Sequence, residues 1–205
     1  GFIYTMKAWQ AVTHPVTSPT WRKCKLKVSS EARNKYGLFK PTKENFDAWR
    51  KTLEIAKEVD AKFIVVQCPP ALKLTEESKK NMVEFFTKVE KPCPIGIEFR
   101  DKSWFLNSEK TREILEKCDL IHVVDILKGT PIKLESIAYF RLHGLNGEIN
   151  YRYKYSRNDL IRLREKILKI KELGVKETYV MFNNVWMFED ARNFLELMRE
   201  VVLRE

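Results

Sequence analysis

The chain has 205 residues, 44% of them hydrophobic, enough for one core and at most two small domains. No apolar run reaches the ~18 residues of a membrane-spanning helix, and Lys7 interrupts the first apolar stretch, which argues against a secretory leader. A formal net charge of +10, with lysines spread along the chain rather than gathered in a tract, reads first as a solvated surface and second as an attraction for nucleic acid or another anion.

Six short runs have strand character, rich in Val, Ile, Phe and Tyr: FIYTMKA (2–8), KFIVVQC (62–68), IGIEFR (95–100), LIHVVDI (120–126), IAYFRLHG (137–144) and ETYVMFNN (177–184). The segment 15–41 is basic and punctuated by Pro15, Pro19, Gly37 and Pro41, which predicts a long loop with a short helix at 30–35. After Thr42, a helical face carries Phe46, Trp49, Leu53 and Ala56. After Thr75, another carries Met82, Phe85, Phe86 and Val89. Ser156 with Asp159 resembles a capping box, followed by Leu160, Leu163, Ile167 and Ile170, and Gly174 sits where a helix should end. A last helix is predicted to present Phe188, Ala191, Leu195, Met198 and Val202. Strands alternating with helices imply βαβ units and a mostly parallel sheet. With no low-complexity linker and no repeat, the expectation is a single domain over 1–205.

The four cysteines (Cys24, Cys68, Cys93, Cys118) are scattered, without CxxC or Cys/His spacing. That argues against a zinc module and for the reduced thiols of a cytoplasmic protein. Heavy Lys, Arg and Glu usage gives the composition a thermophile-like character.

The stretch PIGIEFRDKSWF (94–105) poses a question of charge, because a strand buried on both faces should stay apolar to its end. Side chains alternate between the two faces of a strand. Lys7, Gln67, Glu98 with Arg100, Asp125, Arg141 with His143, and Asn183 then all fall on one face of their strands, near the C-terminal ends. The other face stays apolar and packs on helices. In a parallel barrel the inward side chains meet in layers and the site lies at the C-terminal end, so a TIM-type β/α barrel accommodates this pattern better than an open doubly wound sheet. Structural ion pairs filling a barrel layer are the plainer alternative.

Carboxylates, arginines and histidines together suit acid–base work on an anionic substrate. The catalytic candidates are Glu98, His143 and Asp125. The substrate-binding candidates are Lys7, His14, Gln67, Arg100, Trp104, Arg141, Tyr155, Asn183 and Asn184. Arg100 and Arg141 offer forked donors for a phosphate, Glu98 a base or an anchor for Arg141, and His143 an acid of near-neutral pKa. Trp9, Trp104, Phe105, Tyr151, Tyr153, Tyr155 and Trp186 lie on loops after strands, where rings of sugars or bases would stack. A metal held by Glu98, Asp125, His143 and His14 is less favoured, because interleaved arginines would compete with a cation, so no metal ligand is assigned. No Gly-rich phosphate loop and no nucleophile elbow occurs, and no motif points to a particular cofactor.

Several of these pieces occur together in one known family. Lys7-Ala8 followed by Thr13-His14, VQCPP (66–70), IEFRDKSWF (97–105), YFRLHG (139–144), Tyr151 with Tyr155-Ser156, and VMFNN (180–184) come in that family's order. The chain resembles the YecE-like family of domains of unknown function, number seventy-two in its series. The resemblance implies a TIM-type barrel and no settled activity. It also implies an incomplete barrel of six of eight strand–helix units, since the family's first two strand motifs are absent and Gly1 opens what looks like the third strand. Two function classes stand: an enzyme acting on a phosphorylated or nucleic-acid substrate, and a non-catalytic binding module for an anionic ligand or nucleic acid. The expected partners are thus an anionic small molecule or nucleic acid, with no membrane.

Overall fold

The computed structural model of the protein describes residues 1–24 and 26–202, the side chains at 23 and 200–202 excepted. It is a mixed α/β fold of parallel sheets and helices, dividing after Ile121 into two compact units. Among the described residues the strands form two sheets and no closed barrel. No helix among them is long and apolar enough to cross a membrane.

In the first unit, β1 (Thr5–Lys7), β2 (Phe63–Gln67) and β3 (Ile95–Glu98) lie side by side, and the sheet order continues to β4 (Ile121–His122). β1 and β3 both pair parallel to β2, with Lys7 opposite Val65 and Gln67 opposite Glu98. The helix α1 (Lys43–Glu58) starts at Thr42, whose hydroxyl accepts from the Asn45 backbone N–H. Its buried Ala48, Trp49, Thr52 and Ala56 face the core. The helix α2 (Glu76–Lys88) opens on a capping box of Thr75 and Ser78 and buries Met82, Phe85 and Phe86. Trp49 meets Phe85 and Phe86 edge-on, Phe46 stacks on Phe85 at 5.4 Å, and Phe39 lies 5.0 Å from Phe86. This aromatic cluster packs into a core that also holds Ile64, Val66, Ile97 and Leu115.

Two short helices, α3 (Ser103–Leu106) and α4 (Ser108–Lys117), follow β3 and were not foreseen from the periodicity. Few apolar residues mark α4. Thr111 takes one of its buried positions and satisfies its hydroxyl by donating to the Trp104 carbonyl at 2.6 Å.

The strand runs are shorter than expected at both ends of this sheet. Gly1 to Tyr4 are exposed and lie outside β1, and of 120–126 only Ile121–His122 is strand, with Val124 making a single parallel bridge to Phe140. The loop 15–41 is irregular as expected, but its short helix is a 3₁₀ turn at Arg33–Lys35. Both ends of the loop are pinned. The N–H groups of Gly37, Leu38 and Phe39 donate to the carbonyls of Ala11, Thr13 and Val12. Buried Asn45 clamps the same turn, accepting from Gly37 N and donating to the Gly37 and Lys40 carbonyls. Gly37 has φ +80°, and a Cβ there would lie 2.5 Å from the His14 carbonyl atoms, so only glycine fits.

The second unit is built on β5 (Ile137–Leu142) and β6 (Glu177–Phe182), paired parallel in full register from Ile137–Glu177 to Leu142–Phe182. Phe140 and Leu142 on one face pack with Leu160, Leu163, Ile167 and Ile170 of α5 (Arg157–Glu172) and with Phe194 and Leu197 of α6 (Met187–Val202). The capping box at Ser156 and Asp159 forms as its spacing predicts, and Gly174 follows α5 at φ +99°.

The predicted face of α6 needs correction. Phe188 and Leu195 are exposed, while Asp190, Phe194 and Leu197 are buried, and Ala191 and Met198 are partly so. The side chain of Val202 lies outside the described residues. Apolar residues occur on two faces of this helix, so periodicity alone selects the wrong one.

Candidate functional site

In each unit the polar residues gather where strand parity places them. In the first, Gln67 and Glu98 are cross-strand partners at the ends of β2 and β3, with Lys7 one layer below opposite Val65. Glu98 is 5% exposed. Its carboxylate meets the Arg100 guanidinium at 2.8 Å, and the Arg100 side chain is largely buried as well. A buried charge requires such a partner, and that is why IEFR ends in two opposite charges. Cys68, fully buried beside this pair, has its thiol pushed well above the usual range by burial and then by Glu98, against the pull of Arg100. Such a thiol is inert at neutral pH.

His14 is buried after β1. Its Nδ1 lies 2.7 Å from the Thr13 hydroxyl, and burial, followed by the Lys7 charge, pulls its pKa down to about 4. The ring is therefore neutral at pH 7. Trp104 is fully buried, stacked on Phe99 at 4.0 Å, with its indole N–H donating to the Leu72 carbonyl at 2.8 Å. It belongs to the packing beneath its loop and offers no open ring face there.

In the second unit the face of β5 and β6 turned away from the helices carries a ladder. Tyr139 stacks on Tyr179, Arg141 pairs in register with Met181, and His143 meets Asn183 one step beyond the strands. The Asn183 amide nitrogen donates to His143 Nδ1 at 3.0 Å, so the neutral imidazole carries its proton on Nε2. Tyr151 approaches the same ring edge-on at 6.4 Å. The position of His143 is set by its backbone: its N–H donates to Asp125 Oδ2 at 2.9 Å and its carbonyl accepts from Asn150 N at 2.7 Å. The next residue, Gly144 at φ +77°, donates to the Tyr155 hydroxyl at 2.7 Å, and a Cβ there would strike the Asn150 carbonyl oxygen at 2.2 Å.

Asp125 acts as a clasp. Its second oxygen accepts from Leu127 N at 3.1 Å, and Lys128 stands 3.8 Å away. Tyr155 is buried, and its phenol is raised well above the usual range by burial in the first place and by Asp125 and Asp190 in part, against the Gly144 hydrogen bond. Asn184 is buried too, its amide donating to Asp190 at 2.6 Å and to the Tyr153 carbonyl at 2.7 Å. Both residues hold the loops that carry His143 and Asn183.

Three contributors were not among the candidate site residues: Lys128 beside Asp125, Thr13 on His14, and Asp190 beneath Asn184. Lys128 left a signal, a lysine three residues after an aspartate, and Thr13 stood beside His14 in a motif already read. Among the described residues no three His, Cys, Asp or Glu side chains cluster as a metal site would require. The arrangement in the second unit offers an oxyanion a guanidinium and the Nε2–H of an imidazole as hydrogen-bond donors.

No curated protein matches the chain. Among solved structures, it is similar to a DUF72 family protein (TM1631) from Thermotoga maritima MSB8, with 27% identity and TM-score 0.64 over 100% of this chain and 74% of that one. It has the fold of a DUF72 family protein (EF0366) from Enterococcus faecalis V583, with 20% identity and TM-score 0.64 over 98% of this chain and 78% of that one. The family described as "Protein of unknown function DUF72" matches residues 1–205, and the chain belongs to it.

Proposed function

We propose that the second unit's strand ends form the working part of a polar site for a phosphorylated or nucleic-acid substrate, within a single TIM-type β/α barrel domain. The observation that carries this reading is the His143–Asn183 contact on the same strand face as Arg141. Arg141 takes the phosphoryl oxygens as a planar fork, and His143, whose Nδ1 accepts from Asn183, donates a hydrogen bond from Nε2–H to the ester oxygen. In turnover water attacks phosphorus, the P–O bond to the alcohol breaks, and the proton lost by the water ends on the departing oxygen. Asp125 and Asn184 position rather than react, since the Asp125 oxygens accept backbone N–H groups and Asn184 is tied to Asp190. Glu98 with Arg100 supplies a rigid charged layer in the first unit, beside Lys7 and Gln67. The site is that of a cytoplasmic protein.

The engagement of Asp125 by backbone donors favours a second reading, a binding module for the same anionic ligands without turnover, because the carboxylate that holds the His143 backbone is already committed. Incubation with p-nitrophenyl phosphate and bis-p-nitrophenyl phosphate separates the two. The enzyme reading expects p-nitrophenol release that falls more than about a hundredfold in His143→Ala. Ligand-dependent stabilisation without release supports the binding module. Neither release nor stabilisation, with these probes or with sugar phosphates and short DNA, contradicts both.

A further inference from the structure

The loop 15–41 lines two cavities, the second together with Trp9, Gln10 and Ala11 after β1, that share one indole and use none of the polar strand-end residues discussed above. The first, of about 330 Å³, is lined by Thr17, Ser18, Trp21, Arg22 and Arg33 together with aliphatic residues. The second, of about 200 Å³, is lined by Trp9 and Trp21 with Thr20 and Cys24. No carboxylate lines either one among the described residues. Arg22 and Arg33 have no ion-pair partner among them.

The shared indole is fixed. Trp21 Nε1 donates to the His14 carbonyl at 2.9 Å, and its ring meets Tyr36 edge-on at 5.2 Å. The turn that carries it, Pro19–Lys23, starts on a proline, and both ends of the loop are pinned by the 37–39 to 11–13 hydrogen bonds. Two guanidinium groups and two hydroxyls about one hollow match the oxygens of a phosphate. Two indoles about the adjoining hollow match the π-face of a base, which stacks without regard to sequence.

We propose that this loop binds a nucleotide, its phosphate between Arg22 and Arg33 and its base against Trp21 and Trp9. The nucleotide is either a free nucleoside monophosphate or one residue of a single strand. Wild-type protein titrated with fluorescein-labelled oligothymidylate, with thymidine monophosphate and inorganic phosphate as competitors, tests it. Arg22→Ala and Arg33→Ala should each weaken the strand about tenfold and flatten its salt dependence by about one ion. Trp9→Ala should weaken thymidine monophosphate about tenfold and leave inorganic phosphate unchanged. Competition by the monophosphate at the strand's own affinity assigns the free nucleotide, and competition only by the strand assigns the polymer. Melting curves confirm the fold of each variant, and exposed Lys110→Ala on α4 serves as the charge control. The proposal is overturned if wild-type protein binds none of these probes, if Arg22→Ala and Arg33→Ala lose no more than Lys110→Ala, or if inorganic phosphate competes as well as the nucleotide. None of these variants touches Arg141 or His143, so the outcome stands apart from that of the strand-end site.

Discussion

In the first unit, the acid at the end of β3 finds its partner two residues along the same strand face, and Glu98 and Arg100 neutralise each other out of water. In the second unit, the corresponding strand face ends in an arginine, an imidazole and an amide, while the acid beside them, Asp125, is taken up by backbone N–H groups. Both units thus place polar groups at the same point of the strand, and in the first a carboxylate and a guanidinium of one strand face are paired there. A buried ion pair is architecture by default, because its attraction is spent offsetting desolvation. The arginine and imidazole of the second unit, with the backbone of one held by the Val124 carbonyl and the ring of the other by the Asn183 amide, are donors of the kind an anion takes.

Four experiments sharpen or break this contrast. The largest effects are expected at one glycine in each unit. Gly37→Ala and Gly144→Ala both force a Cβ into a backbone carbonyl at positive φ, and each should cost on the order of 5 kcal/mol in urea unfolding. A loss confined to one of them would show that the two loops are not equally constrained.

Next comes Arg100→Ala, which leaves the buried Glu98 carboxylate without its guanidinium and should cost about 3–4 kcal/mol. The double change Glu98→Gln with Arg100→Met should recover most of that loss. Full stability in Arg100→Ala alone would remove the architectural reading of the pair.

A third test uses one buried histidine from each unit, His14 and His122. Burial pulls both down to about 4, with Lys7 also acting on His14, against the usual 6.5. Between pH 6.5 and 4 the unfolded chain takes up protons that the folded chain refuses. Stability therefore falls as pH drops through that window and levels off below it, by up to about 3 kcal/mol for each ring. His14→Gln and His122→Gln should each flatten the slope of the urea midpoint against pH, and an unchanged slope would contradict their neutral burial. Last and smallest, Lys43→Ala, which breaks an exposed pair with Asp47 on α1, should shift stability by less than about 0.5 kcal/mol.

Much of this was legible in the sequence where the determining physics is local. The capping box at Ser156–Asp159 follows from two residues three apart, and the parity of Tyr139, Arg141 and His143 follows from the alternation of a strand. The α6 face was misjudged because its burial is decided elsewhere: Asp190 goes inside to receive Asn184 and the Tyr155 N–H, which no helical period reveals. Trp104 read as a surface platform because its partner, the Leu72 carbonyl, lies 32 residues away. The helix α4 went unseen because Thr111 fills a buried position that a pattern search reserves for an apolar side chain.

The most direct measurement compares Arg141→Ala with Arg100→Ala on two axes, affinity for a phosphate-bearing ligand found with the wild-type protein and the urea midpoint. Arg141→Ala should lose at least about tenfold in affinity, with Arg141→Lys intermediate because an ammonium cannot engage two oxygens as a fork, while its midpoint moves little. Arg100→Ala should show the reverse, a lowered midpoint with affinity kept in the folded fraction. Unchanged affinity with a lowered midpoint in Arg141→Ala would contradict the claim and make the second unit's polar strand ends architecture like the first.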